Sequence, residues 1–179
     1  MVSRYLLSFT LPLILLAGCS TLGTHRNVNN DEQVQKAGIE ISEEQLLDVW
    51  IEVFTPGDLP DDEEAASGLS SEIREAEARY MPLQLRDTME KTGYWGAVRV
   101  VPQGTEGGEL LVRGSILVSD GENLELDITA LDAAGNEWFS STYEAKVSVE
   151  AYRGAGQSDR EVFQALYNAI ANDLAVHRA

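Results

Sequence analysis

The stretch that decides the fold is Leu110-Leu111-Val112-Arg113-Gly114-Ser115-Ile116-Leu117-Val118-Ser119-Asp120-Gly121-Glu122-Asn123-Leu124-Glu125-Leu126-Asp127-Ile128-Thr129-Ala130. Leu110, Val112, Gly114, Ile116 and Val118 alternate with Leu111, Arg113, Ser115, Leu117 and Ser119. A side-chain period of two belongs to a half-buried strand. Asp120-Gly121 interrupts the alternation with two residues that tolerate positive φ, which marks a hairpin turn. Leu124, Leu126, Ile128 and Ala130 resume it on the return strand. A second turn over Asp132 to Asn136 leads to a third run, Phe139, Ser141, Tyr143, Ala145, Val147 and Val149. Connections this short make an antiparallel meander with one wet and one buried face.

The buried face needs a cover, and the flanking segments supply it. Downstream, Ser158-Asp159-Arg160-Glu161 fits a capping box. Phe163, Leu166, Ile170, Leu174 and His177 then follow at helical spacing. Upstream, Ser71 precedes the Ala-, Glu- and Leu-rich segment Glu72–Lys91, in which Met81, Leu85, Thr88 and Met89 share one face. Pro82 either kinks one helix or opens a second. Trp95 to Val101 reads as a strand closed by Pro102 and a Gly-rich turn. In Asp48 to Phe54, Val49, Ile51 and Val53 alternate with Trp50, Glu52 and Phe54. The order β-α-β-β-β-β-α predicts an α+β domain over residues 46–179. It is a mainly antiparallel sheet with two helices packed on one face.

The chain before this domain has a different character. Arg4 supplies a positive charge, and Tyr5 to Gly18 form an apolar run of 14 residues. A bilayer-spanning helix needs about 20 such residues, and Pro12 lies within the run. The length fits a secretory leader over residues 1–18. It ends Leu15-Leu16-Ala17-Gly18-Cys19, small residues before the single cysteine of the chain. Leu16, Ala17, Gly18 and Cys19 resemble the lipobox of bacterial lipoproteins. That resemblance implies cleavage before Cys19, diacylglycerol and palmitate on it, and a cell-envelope location. Ser20 in place of aspartate resembles the outer-membrane sorting signal of that family, with the protein facing the periplasm; the inner membrane is the alternative. Residues 19–45 read as the lipidated N-terminus and a flexible tether. As a coil they would span roughly 25–30 Å.

Charge bounds the partners. The 179 residues carry 13 Lys+Arg and 30 Asp+Glu, a net charge of −17. Such a chain has no electrostatic footprint for phosphate backbones, so no nucleic-acid partner is expected. Residues 31–77 hold 15 of the acidic residues against Lys36 and Arg74. Within them, the run Asp61-Asp62-Glu63-Glu64 lies in a loop over residues 56–71. It reads as a solvated loop or as a docking surface for a basic partner. Trp50 and Phe54, opposite the apolar face of their strand, are the other candidates for a partner surface.

Chemistry is sparsely signalled. One cysteine excludes an intrachain disulfide framework and a multi-thiolate zinc site. His25 and His177 sit near the chain ends, and no G-x-S-x-G is present, so a Ser–His nucleophile is not expected. Gly154-Ala155-Gly156 precedes a helix, but Asp159 stands where a dinucleotide fingerprint needs its third glycine. Asp58–Glu64 lacks the spacing and central glycine of a calcium loop. No cofactor, metal or catalytic residue is assigned.

Arg113-Gly114, the segment Leu126 to Trp138 with its Asp132-Ala133-Ala134-Gly135 turn, Asp159 and the closing helix together resemble periplasmic lipoprotein modules. These are auxiliary lipoproteins of ABC-type lipid transport systems, curli-secretion and penicillin-binding-protein-activating lipoproteins, and the amino-terminal domain of TolB. The resemblance covers residues 93–176 and rests on patterning. It implies a non-catalytic, membrane-anchored interaction, assembly or transport-auxiliary factor with an envelope protein partner. A lipid or small-molecule carrier with a groove between helix and sheet is the alternative. A peptidoglycan-acting enzyme is the third.

Overall fold

A computed structural model describes residues 24–59, 70–148, 150–152 and 161–178. The fold is α+β, with a six-stranded sheet in the order β1-β6-β5-β4-β2-β3. The strands are β1 (Thr24–Asn27), β2 (Leu47–Glu52), β3 (Trp95–Val101), β4 (Leu110–Ser119), β5 (Asn123–Asp132) and β6 (Glu137–Lys146). Two long helices, α1 (Ser71–Glu90) and α2 (Gln164–Arg178), cover one face.

The meander β4-β5-β6 forms as its alternation demands. Leu110 pairs with Asp132 and Ile128 with Ser141, and Leu124, Leu126, Ile128 and Ala130 are all buried. A shift in register between Ile116 and Val118 alters the end of β4. Past it Ser119 is buried, and its hydroxyl donates to Glu77 of α1 at 2.8 Å. Leu117 and Val118 are left exposed and half-buried.

The rest of the sheet corrects the expectation of a mainly antiparallel one. β2 lies between β3 and β4 and is parallel to both, and β1 is parallel to β6. Five strands therefore run one way and β5 alone runs against them. The physical reason lies in the connections. β2 and β3 are joined through α1, the long crossover that parallel neighbours require. From β3 the chain returns to the start of β4 through residues 102–109, on the face away from the helices. There Glu109 N–H donates to Asp48 O at 2.9 Å, and Gly104 N–H donates to the Glu52 carboxylate at 3.0 Å. We call the end where the five strands begin proximal and the other distal.

α1 is one continuous helix with Pro82 inside it. Ser70 caps it, its hydroxyl accepting from Ile73 N–H at 3.2 Å; the expected cap, Ser71, is the first helical residue. Proline has no N–H to give the carbonyl four residues back. That carbonyl, Ala78 O, instead accepts from Phe54 N–H at 3.0 Å. The bond draws the chain after β2 beneath α1, and Phe54 becomes 1% exposed. Gly114 makes the room: a Cβ there would lie 2.6 Å from the Phe54 ring.

The tether reading is also corrected over residues 24–45: from Thr24 onward the chain belongs to the domain, and residues 19–23 lie outside the described residues. β1 pairs along β6, and Val28 is buried in the core. Residues 28–46 then run across the helical layer as a strap, through a single 3-10 turn at Glu43–Gln45, to enter β2. The segments 1–23, 60–69 and 153–160 lie outside the described residues, as does most of the expected capping box. Among the described residues, no helix is long and apolar enough to cross a membrane.

Candidate functional site

The strap is held by amides on α2. Gln164, Asn168 and Asn172 are spaced four apart and so share one face of the helix. Gln164 bridges the hydroxyl of Thr88 on α1, at 2.9 Å, and the Asn168 side-chain oxygen, at 3.0 Å. Asn168 donates to Glu32 O at 2.8 Å. Asn172 donates to Glu32 Oε1 and to Gln33 O, both at 3.0 Å, and accepts from Gln35 N–H at 2.8 Å. Asn168 and Asn172 are buried, so each bond replaces water that the site excludes.

A charged cluster closes the same seam. Arg26 of β1 donates to Asp173 at 2.5 Å and to Glu32 at 3.1 Å. The Tyr143 hydroxyl, from β6, donates to the other Asp173 oxygen at 2.8 Å. Burial and the Asp173 charge push the Tyr143 hydroxyl far above its ordinary value, so it stays a donor. For Arg26, partial burial works against the charge, but the bond to Asp173 and the nearby Glu32 outweigh it and hold the guanidinium charged.

Beyond these bonds the strap is loosely covered. Ala37 N–H donates to Thr92 O at 2.8 Å, and Arg178 donates to Gln45 O at 2.5 Å. Between them lies a cavity of about 580 Å³ lined by Ala37, Gly38, Ile39, Ile41, Leu47 and Arg178, among others. A second, of about 540 Å³, opens on the other side of the strap beside Glu40, Glu43, Asp48 and Trp95. The indole N–H of Trp95 is buried without an acceptor among the described residues. Asp48 at the edge of the cavity already accepts from Ala97 N–H at 2.8 Å and pairs with Arg99 at 3.3 Å. Among the described residues, no group of three His, Cys, Asp or Glu side chains could hold a metal ion.

Trp50 and Phe54 do not come together in the expected partner surface. Phe54 is buried beneath α1 and offers nothing to a partner. Trp50 does lie on the sheet face away from the helices, but residues 102–109 cross it. Gly107 and Gly108 lie so close that a Cβ on them would approach the indole to 2.3 and 2.8 Å. Asp61, Asp62, Glu63 and Glu64 lie outside the described residues, as do Leu16, Ala17, Gly18 and Cys19. The space between helices and sheet, expected as a carrier groove, is occupied by Ile51, Leu85, Met89, Ile128 and Leu166, none more than 1% exposed. The cavities open beside the strap instead.

Sequence reasoning missed the seam. Its one signal was the set of amides at four-residue spacing along α2. Comparison with protein-family models finds no match to this chain, and comparisons with curated proteins and with solved structures find none either.

Proposed function

We propose that this chain is a lipid-anchored protein of the bacterial cell envelope that acts by contact rather than by catalysis. Cys19, preceded by Leu16-Ala17-Gly18 at the end of an apolar leader, carries the anchor. Two acyl chains give stable attachment where one would not. Ser20 favours the outer membrane, with the domain in the periplasm. The observation that carries the reading is the lipobox-like placement of the only cysteine. Thr24 already lies in the sheet, and the chain between Cys19 and Thr24 can span at most about 18 Å. Anchoring therefore holds the domain against the bilayer and concentrates it near envelope partners.

The test is metabolic labelling with palmitate followed by membrane fractionation. The native chain takes up label and sediments with membranes. Cys19→Ala takes up none and is recovered soluble or unprocessed; continued labelling of that variant overturns the proposal. Crosslinking from intact cells, compared between the two forms, then names the partner. The strap cavity of about 580 Å³ supports a second reading, a small-molecule or lipid carrier. That reading wins if lipid copurifies with the soluble form and no partner crosslinks.

A further inference from the structure

The connections that leave β2 and β3 turn to opposite faces of the sheet. α1 carries the chain from β2 over one face, and residues 102–109 carry it from β3 over the other, against Trp50 and Glu52. The two strands are parallel neighbours, so neither connection covers the gap between their distal ends. In open sheets with parallel strands, ligands bind in this kind of crevice, past the carboxyl ends of the strands where the connections diverge.

A cavity of about 270 Å³ lies at that point. It is lined by Val53 and Pro56 after β2, Pro102 and Gln103 after β3, and Ala78 and Arg79 of α1. Hydrogen bonds fix its surroundings on three sides. Val53 N–H donates to Val101 O at 2.9 Å and closes the base between the strands. Phe54 N–H donates to Ala78 O at 3.0 Å and ties the β2 side to α1. The Gln103 side chain donates to Val53 O at 3.0 Å and to the Thr55 hydroxyl at 3.3 Å, and ties the β3 side to the β2 side. The cavity is therefore formed before anything enters it, which spares a ligand the cost of ordering its walls.

Size and lining select the ligand. At about 30 Å³ per water in the liquid, the volume equals that of about nine waters. One ring with a short side chain fits; a nucleotide-sized cofactor does not. Val53, Pro56, Ala78 and Pro102 supply apolar walls. The charge at the mouth is the pair Arg79 and Glu75, 3.4 Å apart on successive turns of α1, with side chains 67% and 58% exposed. Exposed pairs of this kind hold weakly. Glu75 engages only Nη2 of Arg79, and the rest of the planar fork can take a second carboxylate through two parallel bonds. An ammonium gains only a point contact with Glu75, beside the like charge of Arg79.

We propose that the distal crevice between β2 and β3 binds a small apolar carboxylic acid, with its ring or short chain between Val53, Pro56 and Pro102 and its carboxylate on Arg79. The site does not depend on the anchor at Cys19. Phenylacetate is the probe, titrated into the full chain with labelled valine and alanine methyl groups; 2-phenylethanol and 2-phenylethylamine are titrated in parallel. Phenylacetate shifts the methyls of Val53 and Ala78 along a saturable curve, with a Kd of about 1 mM for so small a ligand. The alcohol binds the same methyls more weakly, and the amine more weakly still. Arg79→Ala weakens phenylacetate about fivefold and leaves the alcohol unchanged. Val53→Phe fills the cavity and abolishes binding of both, while the methyls of Ala130 and Ala145 in the meander keep their native positions and report the fold. If that variant does not fold, the selective loss in Arg79→Ala decides alone. Shifts confined to Ala37 beside the strap, or no saturable shift at Val53 and Ala78, overturn the site. An amine that binds as well as the acid, or an Arg79→Ala chain that binds phenylacetate as the native one does, overturns the acid as its ligand.

Discussion

The strap over residues 28–46 is about half the length of the meander over residues 110–146, and opposite physics holds each in place. The meander is ordered by apolar burial repeated every second residue. Ile116, Leu124, Leu126 and Ile128 are each at most 1% exposed, and neighbouring strands are joined by turns of a few residues. The strap buries little beyond Val28 and part of Val34. It is ordered by hydrogen bonds to residues more than 130 positions away. Apolar burial is non-directional and tolerant, whereas the strap's bonds exist only if α2 presents each amide where a strap carbonyl or N–H needs it. The two regions should therefore fail differently.

The largest effect is expected in the meander. Ile128→Ala removes a fully buried side chain from the middle of the sheet. Such truncations cost about 2–5 kcal/mol, and the centre of β5 has no room to collapse. Unfolding in urea should remain a single transition with its midpoint lowered, followed equally by tryptophan fluorescence and far-UV dichroism. Separate transitions for the two signals would mean that the meander is not the structural base on which the strap depends.

Asn172→Ala should be milder and local. It leaves Gln33 O and Gln35 N–H without their partner, while Glu32 Oε1 keeps Arg26. Each unmet buried group costs about 1–3 kcal/mol, less where water can enter, and the exposed strap lets it enter. A net loss of about 2 kcal/mol is expected. Amide exchange distinguishes this from a global effect: protection at Gln35 and Ala37 should fall while that at Leu126 and Ile128 holds. If all four lose protection together, strap and meander are one cooperative unit and the comparison breaks.

The same contrast explains what the sequence discloses. The alternation of β4 to β6, the apolar faces of both helices and the turn at Asp120-Gly121 are local patterns, and the structure follows them. The parallel placement of β2 between β3 and β4 is not local. It depends on a crossover through α1 and on the fit of residues 102–109 against Trp50, for which Gly107 and Gly108 were only a turn signal. Phe54 is buried because Pro82 frees a carbonyl 24 residues away in sequence, a pairing that no strand pattern encodes. The strap is polar and aperiodic. Its segment Asn27 to Gln35 has the composition of a linker, and its order is supplied by Asn168 and Asn172. Of the seam, only the four-residue spacing of Gln164, Asn168 and Asn172 was legible; the strap segments they hold were not.

The smallest effect lies in the turns that bound β5, and its pH dependence sharpens the contrast. Asp132 accepts from Ala134 N–H and Asn136 N–H, each at 2.8 Å, and from the Asn136 side chain at 2.9 Å. Those bonds, the Asn136 side chain foremost, hold its carboxyl below the ordinary aspartate value. Asp120 repeats the arrangement with Glu122 and Asn123; partial burial opposes the shift there, but the bonds outweigh it. A carboxyl lowered in the folded state contributes stability above the ordinary value of about 3.9, and this is lost as the pH falls through the lowered value. Asp132→Asn should therefore melt below the native chain near neutral pH, with the gap closing as the pH falls below about 4. A gap independent of pH would show that the carboxylate charge does not hold the turn.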